Sequence, residues 1–244
     1  MIDDLATWAK IITAAKTIWS GGREVAKWFQ RPATASVLDS FANVNVSVVC
    51  SSLYANQICG ECIPLVKHQP NGHPVAVSSG YFVTGIDDAI ALATLAMSLH
   101  ERHATLTFGI DQESTAAKNG HMVLLGGPSS NLIGLDVYEN HFAPSQKFFS
   151  AAQGLVVNGA EYRQGNYGYI VSMRNPWAHN SRILWMAGLG PSGTGAAVRL
   201  VVAGFDPATI ALVKGHEDFI LFVQGELGGE GQVLNTKVIG HRYL

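Results

Sequence analysis

Charged residues are scarce in this sequence, and no cluster of lysine and arginine occurs along its 244 positions. Asp, Glu, Lys and Arg together make up 14% of the residues, and the formal net charge is -2. Surfaces that bind nucleic acid or anionic membranes need concentrated positive charge. The composition therefore predicts neither kind of surface.

Cysteines and long apolar runs are also few. Three cysteines are too few, and odd in number, for the disulfide framework of a secreted domain. No uninterrupted apolar run has the length of a membrane span, and the first residues lack the basic and then apolar order of a signal peptide. We therefore expect a cytoplasmic protein without a membrane span.

The residues that are present favour one compact fold with a helical extension. The hydrophobic share is 48%, in a chain long enough to bury a sizeable core. Residues 1–32 differ from the rest, because Trp8, Trp19 and Trp28 lie on segments with apolar residues at helical spacing. We predict an N-terminal helical appendage over 1–32, whose apolar face packs on the main domain, on a second copy or on a partner protein.

Strand-like and helix-like segments alternate in the remainder, 33–244. The segments "NVSVVC", "ATLTFGI", "HMVLLGG" and "RILWMAG" are typical of strands, whereas "DDAIALATLAMSLHE", "SSNLIGLDVYENHF" and the stretch from Ser192 to Ala203 are typical of helices. Short runs between Lys147 and Met173 predict antiparallel hairpins at a sheet edge. We therefore predict a three-layer αβα Rossmann-like sandwich, with a mostly parallel sheet, an antiparallel edge and preceding N-terminal helices.

Two glycine-rich turns follow apolar strands and precede helices. The first glycine turn runs over 126–131 in "LLGGPSSN", and the second glycine turn runs over 188–194 in "AGLGPSGTG". Such turns present backbone N–H groups and a positive helix end at the carboxyl edge of a sheet, where phosphate oxygens bind. The predicted ligand contacts are Gly126, Gly127, Ser129, Ser130 and Asn131 on one wall, Gly190, Ser192, Gly193 and Thr194 on the other, and Asn175 from "MRNPW".

The second glycine turn also matches a dinucleotide fingerprint in part. Gly188, Gly190 and Gly193 give G-x-G-x-x-G, but Asp206 and Glu217 only bracket the acidic position expected about 20 residues later. Neither turn contains the lysine of a Walker P-loop. The pattern favours phosphate without identifying NAD or any other cofactor. Alternatively, the glycines only allow the chain to reverse and a helix to pack on the sheet.

The order of these landmarks resembles a known pattern. "GGPSSN", "YGYIVSMRNPW" and "ILWMAGLGPSGTGAA" are similar to the G-G-P-x-x-N, N-P and A-G-x-G-x-x-G-T-x-A-A landmarks of a family of uncharacterised bacterial α/β domains. The resemblance extends from about Val46 to Val202. It implies a Rossmann-like fold and shared positions at the sheet edge, and it supplies no known reaction.

A Cys/His cluster is a separate candidate site. Cys59, Cys62, His68 and His73 in "CGECIPLVKHQPNGH" have a spacing close to that of a compact zinc knuckle. The alternatives are a redox-active Cys-x-x-Cys pair, or ordinary cysteines and loop histidines.

Catalytic candidates are few. No G-x-S-x-G elbow is present, and Cys50 is either a thiol nucleophile or a small buried residue. Asp87 and Asp88 are adjacent on a predicted helix, so they point about 100° apart and are unsuited to serve one site together. We predict a nucleotide-binding or phosphate-binding sensor domain. The alternatives are a hydrolase that uses Asp87 or Asp88, and a ligand-free oligomerisation module.

Overall fold

A computed structural model describes ten stretches of the chain. They are residues 37–50, 53–54, 66–68, 74–76, 82–83, 86–110, 118–150, 154–163, 165–228 and 233–244. The predicted N-terminal helical appendage over 1–32 lies outside them.

The described residues form fourteen strands and four α-helices. The strands are β1 (Asn45–Cys50), β2 (Leu53–Tyr54), β3 (Val66–His68), β4 (Pro74–Ala76), β5 (Phe82–Val83), β6 (Thr105–Ile110), β7 (His121–Leu125), β8 (Phe149–Ser150), β9 (Gly154–Val157), β10 (Ala160–Tyr162), β11 (Tyr167–Arg174), β12 (Arg182–Gly188), β13 (Phe219–Leu227) and β14 (Val233–Tyr243). The helices are α1 (Ile86–His100), α2 (Leu132–Asn140), α3 (Pro191–Ala203) and α4 (Pro207–Val213), with 3-10 turns at Val37–Phe41 and Pro144–Gln146.

Seven of the strands form one mixed sheet in the order β14-β13-β11-β12-β7-β1-β6. The neighbours from β12 to β6 pair in parallel, whereas β11 is antiparallel to both β12 and β13, and β14 is antiparallel to β13. Smaller sheets are formed by β8, β9 and β10, by β2 with β5, and by β3 with β4.

The central strands are apolar on both faces, so their residues alternate between two cores. In β12, Leu184 and Met186 belong to the core on the first face of the sheet, whereas Trp185 and Ala187 belong to the core on the second face. All four side chains are fully buried. This explains the continuous apolar run "ILWMA", because a half-exposed strand would alternate with polar residues.

Helices cover the first face, and a mixed layer covers the second. Residues of α1 and α3 pack together on the first face. The second face is covered by α2 together with β9, through residues such as Val137 and Leu155. The second cover layer is therefore part helix and part sheet.

The predicted Rossmann-like three-layer sandwich with a mostly parallel sheet is wrong. Three of the six strand pairings in the large sheet are antiparallel, and only four α-helices occur among the described residues. The segment "YGYIVSM" lies in β11, an interior strand with a neighbour on each side, although its turn-rich surroundings predicted an edge hairpin. The alternation of strand-like and helix-like segments predicted parallel pairing, but apolar runs such as that of β12 do not distinguish parallel from antiparallel neighbours when both faces are covered.

Among the described residues, no single helix has both the length and the apolar character needed to cross a membrane. By these two criteria α3 and α4 would pass only as a pair, which is bent by 96°.

Candidate functional site

The two glycine turns lie side by side at one rim of the large sheet. Strands β7 and β12 are parallel neighbours, with Leu125 opposite Met186. Beyond this pair, the amide of Gly126 donates a hydrogen bond of 3.1 Å to the carbonyl oxygen of Met186. A Cβ placed on Gly127 would lie 3.9 Å from the carbonyl oxygen of Gly188. The turns therefore touch, and little open space remains directly between them.

The helices that follow these turns depart to opposite faces of the sheet. Ile133 of α2 is buried in the core of the second face, and Ala196 of α3 is buried in the core of the first face. In open α/β sheets, ligands bind outside the carboxyl ends of strands where the connections diverge in this way. The rim formed by β7 and β12 is such a position.

Most polar groups of the first glycine turn are used within the protein. Asn131 is fully buried and accepts a hydrogen bond of 2.9 Å from the amide of Gly134, so it caps α2. Its Nδ2 donates to the carbonyl oxygens of Leu125 at 3.1 Å and Val49 at 3.4 Å. The structure therefore gives Asn131 a structural role in place of the predicted ligand contact.

The remaining first-turn candidates differ in accessibility. The Ser130 hydroxyl and amide both donate to the carbonyl oxygen of Gly127, at 3.2 and 2.9 Å. Gly126 has a φ of 99°, which favours glycine, and its carbonyl oxygen accepts a hydrogen bond of 2.7 Å from Trp185 Nε1. Ser129 is exposed and Gly127 is half-buried. Gly127 and Ser129 are thus the first-turn residues best placed to meet a ligand.

Close backbone packing explains why several positions of the second glycine turn are occupied by glycine. A Cβ on Gly193 would lie 2.2 Å from the carbonyl oxygen of Tyr167, and one on Gly188 would lie 2.4 Å from the carbonyl carbon of Gly193. The amides of Gly193 and Thr194 donate to the carbonyl oxygen of Gly190, at 3.0 and 3.1 Å, and both residues are buried. The predicted contacts at Gly193 and Thr194 are therefore replaced by helix packing, which leaves Gly190 and Ser192 at the surface.

An open cleft of about 500 Å³ lies beside the second glycine turn. It is formed where α3 begins, where β13 ends and where β14 starts. Its lining residues are Gly165, Asn166, Ser192, Gln224, Gly225, Glu226, Leu227, Asn235, Thr236 and Lys237. Of the predicted ligand contacts only Ser192 lines this cleft, in the first turn of a 13-residue helix.

The floor of the cleft is held by hydrogen bonds between its own residues. Asn166 Nδ2 donates 2.8 Å to the carbonyl oxygen of Gly225, whose amide donates back to the carbonyl oxygen of Asn166 at 2.8 Å. Gln224 Nε2 donates 2.9 Å to the hydroxyl of Tyr167. Two amide side chains are therefore held in place before any ligand arrives.

The cleft is polar and carries one charge of each sign. Lys237 lies opposite Gln224 in the β13–β14 ladder, and Glu226 lies opposite Asn235. Both charged residues are exposed. The start of α3 adds the partial positive charge of a helix N-terminus, on the side where Ser192 lies. The arrangement suits a polar molecule that carries negative charge.

Sequence reasoning missed the β13 and β14 residues of the cleft. The available signal was the change from the apolar run "FILFV" to the polar "QGE" at the end of one strand, followed by the polar "NTK" on the next. That change marks where a strand leaves the core. It does not show which other element lies beside it.

Tyr169 is a second residue that sequence reasoning missed. It lies on β11 opposite Ala187 and is only 1% exposed. Its hydroxyl has no hydrogen-bond partner among the described residues, and it lies beside Gly127. Burial, followed by the nearby Tyr138, raises the pKa of Tyr169 well above 10, so the hydroxyl stays protonated.

Asn175 lies far from the glycine turns. It follows the last residue of β11, Arg174, which is opposite Arg182 at the start of β12. Its Nδ2 donates to the carbonyl oxygens of Lys118 at 2.9 Å and Gly120 at 2.7 Å. The prediction that Asn175 joins the site is wrong, because antiparallel pairing places the end of β11 at the opposite edge.

The zinc and catalytic candidates lie on other elements or outside the described part of the chain. Cys59, Cys62 and His73 lie outside the described residues, and His68 lies in β3. Among the residues described, no group of three or more His, Cys, Asp or Glu side chains could hold a metal ion. Asp87 and Asp88 lie in the first turn of α1. Cys50 is a half-buried cysteine at the end of β1, opposite Leu125 of β7, so it lies at the same rim as the first glycine turn.

Comparison with known proteins adds no relative: no protein-family model matches the chain, and no curated protein matches it. The resemblance to bacterial α/β domains therefore stays a prediction. The geometry of the rim is the remaining basis for a functional proposal.

Proposed function

We propose that the protein binds a nucleotide or a related phosphorylated small molecule in the cleft beside α3. The observation that carries this proposal is the combination of Ser192, in the first turn of α3, with Lys237 on the facing strand β14, both lining one cleft. A volume of about 500 Å³ is within the range of small-molecule sites.

The phosphate is assigned to the end of the cleft nearest α3. The amides of Gly193 and Thr194 already donate to the carbonyl oxygen of Gly190, and Pro191 has no N–H. An anion at the start of α3 would therefore be stabilised by the helix dipole and by the amide and hydroxyl of Ser192. The Lys237 ammonium supplies a full positive charge. Glu226 disfavours an anion at its own position, so it directs the phosphate away from that end.

The uncharged part of the ligand is assigned to the amide side chains. Asn166, Gln224 and Asn235 supply donors and acceptors for hydroxyl groups or base edges. Because Asn166 and Gln224 are already held by Gly225 and Tyr167, binding restricts little further side-chain motion.

Titration calorimetry and thermal unfolding test this proposal with ATP, ADP, AMP, cyclic AMP, NAD, ribose 5-phosphate and inorganic phosphate. One ligand class should raise the melting temperature of the wild-type protein. Lys237→Gln should weaken that binding by about tenfold or more, since hydrogen bonds to charged groups are worth about 1.5–3 kcal/mol. Ser192→Ala should weaken it by about threefold to tenfold.

Lys214→Gln is the matched control, because Lys214 is exposed and precedes β13, at the edge opposite the cleft. It should leave the affinity unchanged. The proposal is contradicted if no compound shifts the melting temperature, or if Lys237→Gln and Lys214→Gln have equal effects.

Hydrolysis of such a ligand is a second candidate, favoured by the carboxylate of Glu226 in the cleft. A carboxylate there could act as a general base toward water. Turnover of the same compounds, lost in Glu226→Gln, would support it. Turnover lost instead in Asp87→Asn or Asp88→Asn would assign the reaction to the start of α1, and absence of turnover would exclude a hydrolase for these compounds.

A role for residues 1–32 in assembly is also proposed, with the sequence as its support. The Trp8, Trp19 and Trp28 face would join copies of the chain or bind a partner protein, and could transmit ligand occupancy from a cytoplasmic sensor domain. Light scattering on the wild-type chain and on Trp19→Ser tests this. An unchanged mass would argue against self-association through Trp19.

A further inference from the structure

The hydroxyl of Tyr169 is buried beneath the first glycine turn without a described partner. Leaving a buried hydroxyl unpaired opposes folding, and native proteins seldom do so without a reason. Tyr138, also buried, shows the usual outcome: its hydroxyl donates to the carbonyl oxygen of Phe149 at 2.7 Å and accepts from the amide of Phe148 at 2.9 Å. The hydroxyl of Tyr169, in contrast, makes no hydrogen bond to any described residue.

Three oxygen atoms surround the position where a side chain on Gly127 would begin. A Cβ there would lie 3.9 Å from Tyr169 Oη, 3.9 Å from the carbonyl oxygen of Gly188 and 4.0 Å from Ser129 Oγ. We call the space bounded by Gly127, Ser129, Tyr169 and Gly188 the Gly127 cradle. It has room for about one methyl-sized group.

The backbone conformation does not require glycine at position 127. Gly126 has a positive φ of 99°, but Gly127 is not among the positive-φ residues. A Cβ on Gly127 would make only ordinary van der Waals contacts. The missing side chain at Gly127 therefore keeps the cradle empty, whereas the missing side chain at Gly193 allows two backbones to approach.

We propose that the Gly127 cradle binds a hydroxyl group of a sugar or polyol phosphate; this rests on the proposed function of the neighbouring cleft. A hydroxyl can accept a hydrogen bond from Tyr169 and donate one to the carbonyl oxygen of Gly188. An anionic oxygen would be repelled by that carbonyl oxygen, and an apolar group would leave Tyr169 unpaired.

The cradle and the cleft are bordered by residues of the same glycine turn. Gly188 borders the cradle and Ser192 lines the cleft, on the same turn of the chain. Four residues span at most about 14 Å when fully extended. The proposal places a phosphate at Ser192 and a hydroxyl of the same ligand at Gly127.

The test compares two probes, ribose 5-phosphate and inorganic phosphate, on the wild-type protein and on Tyr169→Phe and Gly127→Ala. Both variants should weaken binding of ribose 5-phosphate by roughly 3- to 10-fold, the effect of one lost hydrogen bond. Both should leave binding of inorganic phosphate unchanged. Without ligand, Tyr169→Phe should keep or raise the melting temperature, because no protein hydrogen bond is lost.

Tyr138→Phe is the matched control, because it removes a buried hydroxyl whose hydrogen bonds are satisfied. It should lower the melting temperature of the free protein and leave the ratio of the two affinities unchanged. If Tyr169→Phe lowers the melting temperature as much as Tyr138→Phe does, a buried water already satisfies Tyr169 and the cradle is not a ligand subsite.

The outcomes separate this inference from the proposed function. If the wild-type protein binds both probes and Tyr169→Phe keeps the same ratio of affinities, the cradle assignment is overturned and the cleft assignment stands. If the wild-type protein binds neither probe, the cradle assignment and the cleft assignment are both overturned for phosphorylated sugars.

Discussion

At the scale of single residues, the absence of a side chain at Gly193 allows α3 to begin directly against β11. The close neighbours of that position are backbone atoms of Tyr167 and Gly165, and neither can move as the end of a flexible side chain could. Gly195, two residues later in the same helix, has only Val233 Cγ2 near it, at 3.9 Å. Gly193 and Gly195 therefore look equivalent in the sequence, but only position 193 lacks the space for a side chain.

Gly193→Ala is therefore expected to reduce the free energy of unfolding by about 3 kcal/mol, the upper part of the range for overpacking. Gly195→Ala should instead raise it by about 0.5–1 kcal/mol, since alanine is the better helix former. Urea unfolding of both variants checks this pair of predictions. Equal effects would show that the first turn of α3 is not packed as tightly as described.

Asn131 supports a second prediction at the residue scale. Its side chain joins the start of α2 to the ends of β7 and β1 through three hydrogen bonds in the core. Asn131→Ala should lower the free energy of unfolding by about 2–4 kcal/mol, from a lost N-cap and two buried carbonyl oxygens that lose a donor.

Asn140, exposed at the other end of α2, is the control for chemical denaturation. Asn140→Ala should change the free energy by no more than about 0.5 kcal/mol. A cost for Asn131→Ala no larger than that of Asn140→Ala would contradict the structural role of Asn131.

At the scale of elements, α2 is attached to the segment before β7 by an ion pair. Lys118 Nζ lies 2.5 Å from Asp136 Oδ2, and both side chains are partly buried. Hydrogen bonds from Lys118 and then from Asn140 lower the pKa of Asp136 below its ordinary value of 3.8. The carboxylate therefore stabilises the folded protein above that pH, and the contribution is lost as the pH falls through the lowered folded pKa.

Asp136→Asn should thus be less stable than the wild-type protein near pH 6, and the difference should shrink as the pH falls below 3.8. Urea unfolding across this pH range measures the difference. A difference that stays constant on acidification would mean that ionisation of Asp136 does not contribute to stability.

Elements were predictable where their signals are local. Strand β12 is an uninterrupted apolar run, and α4 follows Asp206, whose carboxylate accepts a hydrogen bond of 2.6 Å from the amide of Thr209 as a helix cap. Strand β12 was predicted at its observed position, and Asp206 followed by Pro207 is a helix-start signal of the same local kind. Strand β11 was predicted as a strand but placed at an edge, because turn residues before and after it do not show that β13, some 50 residues later, pairs with it.

At the scale of the whole molecule, the large sheet has a parallel half and an antiparallel half. One hydrophobic core lies on each face of this sheet. The edge strand β14 contains no fully buried residue, whereas five consecutive residues of β12 are buried. Local opening of an edge strand needs fewer contacts to be broken than opening of a central strand.

Hydrogen exchange should therefore be slower for the amides of β7, β11 and β12 than for those of β14 in the ligand-free protein. Exchange measured by mass spectrometry on peptides from these strands tests the expectation. Equal protection of β14 and β12 would mean that another surface covers β14, and dilution of the protein would then show whether that surface is a second copy.

The sequence by itself determined where several longer strands and helices lie, namely β1, β6, β7, β12, α1, α2 and α3, and that two glycine turns follow strands at helix starts. Apolar periodicity, caps and turns act over only a few residues. It also placed Ser192 in the first turn of a helix that follows a strand. Only the tertiary structure decided that half of the sheet is antiparallel, that Asn175 lies at the far edge, and that Tyr169 lies beneath Gly127. Those outcomes depend on which strand pairs with which and in what direction, and the side-chain pattern of a doubly buried strand is the same in either case.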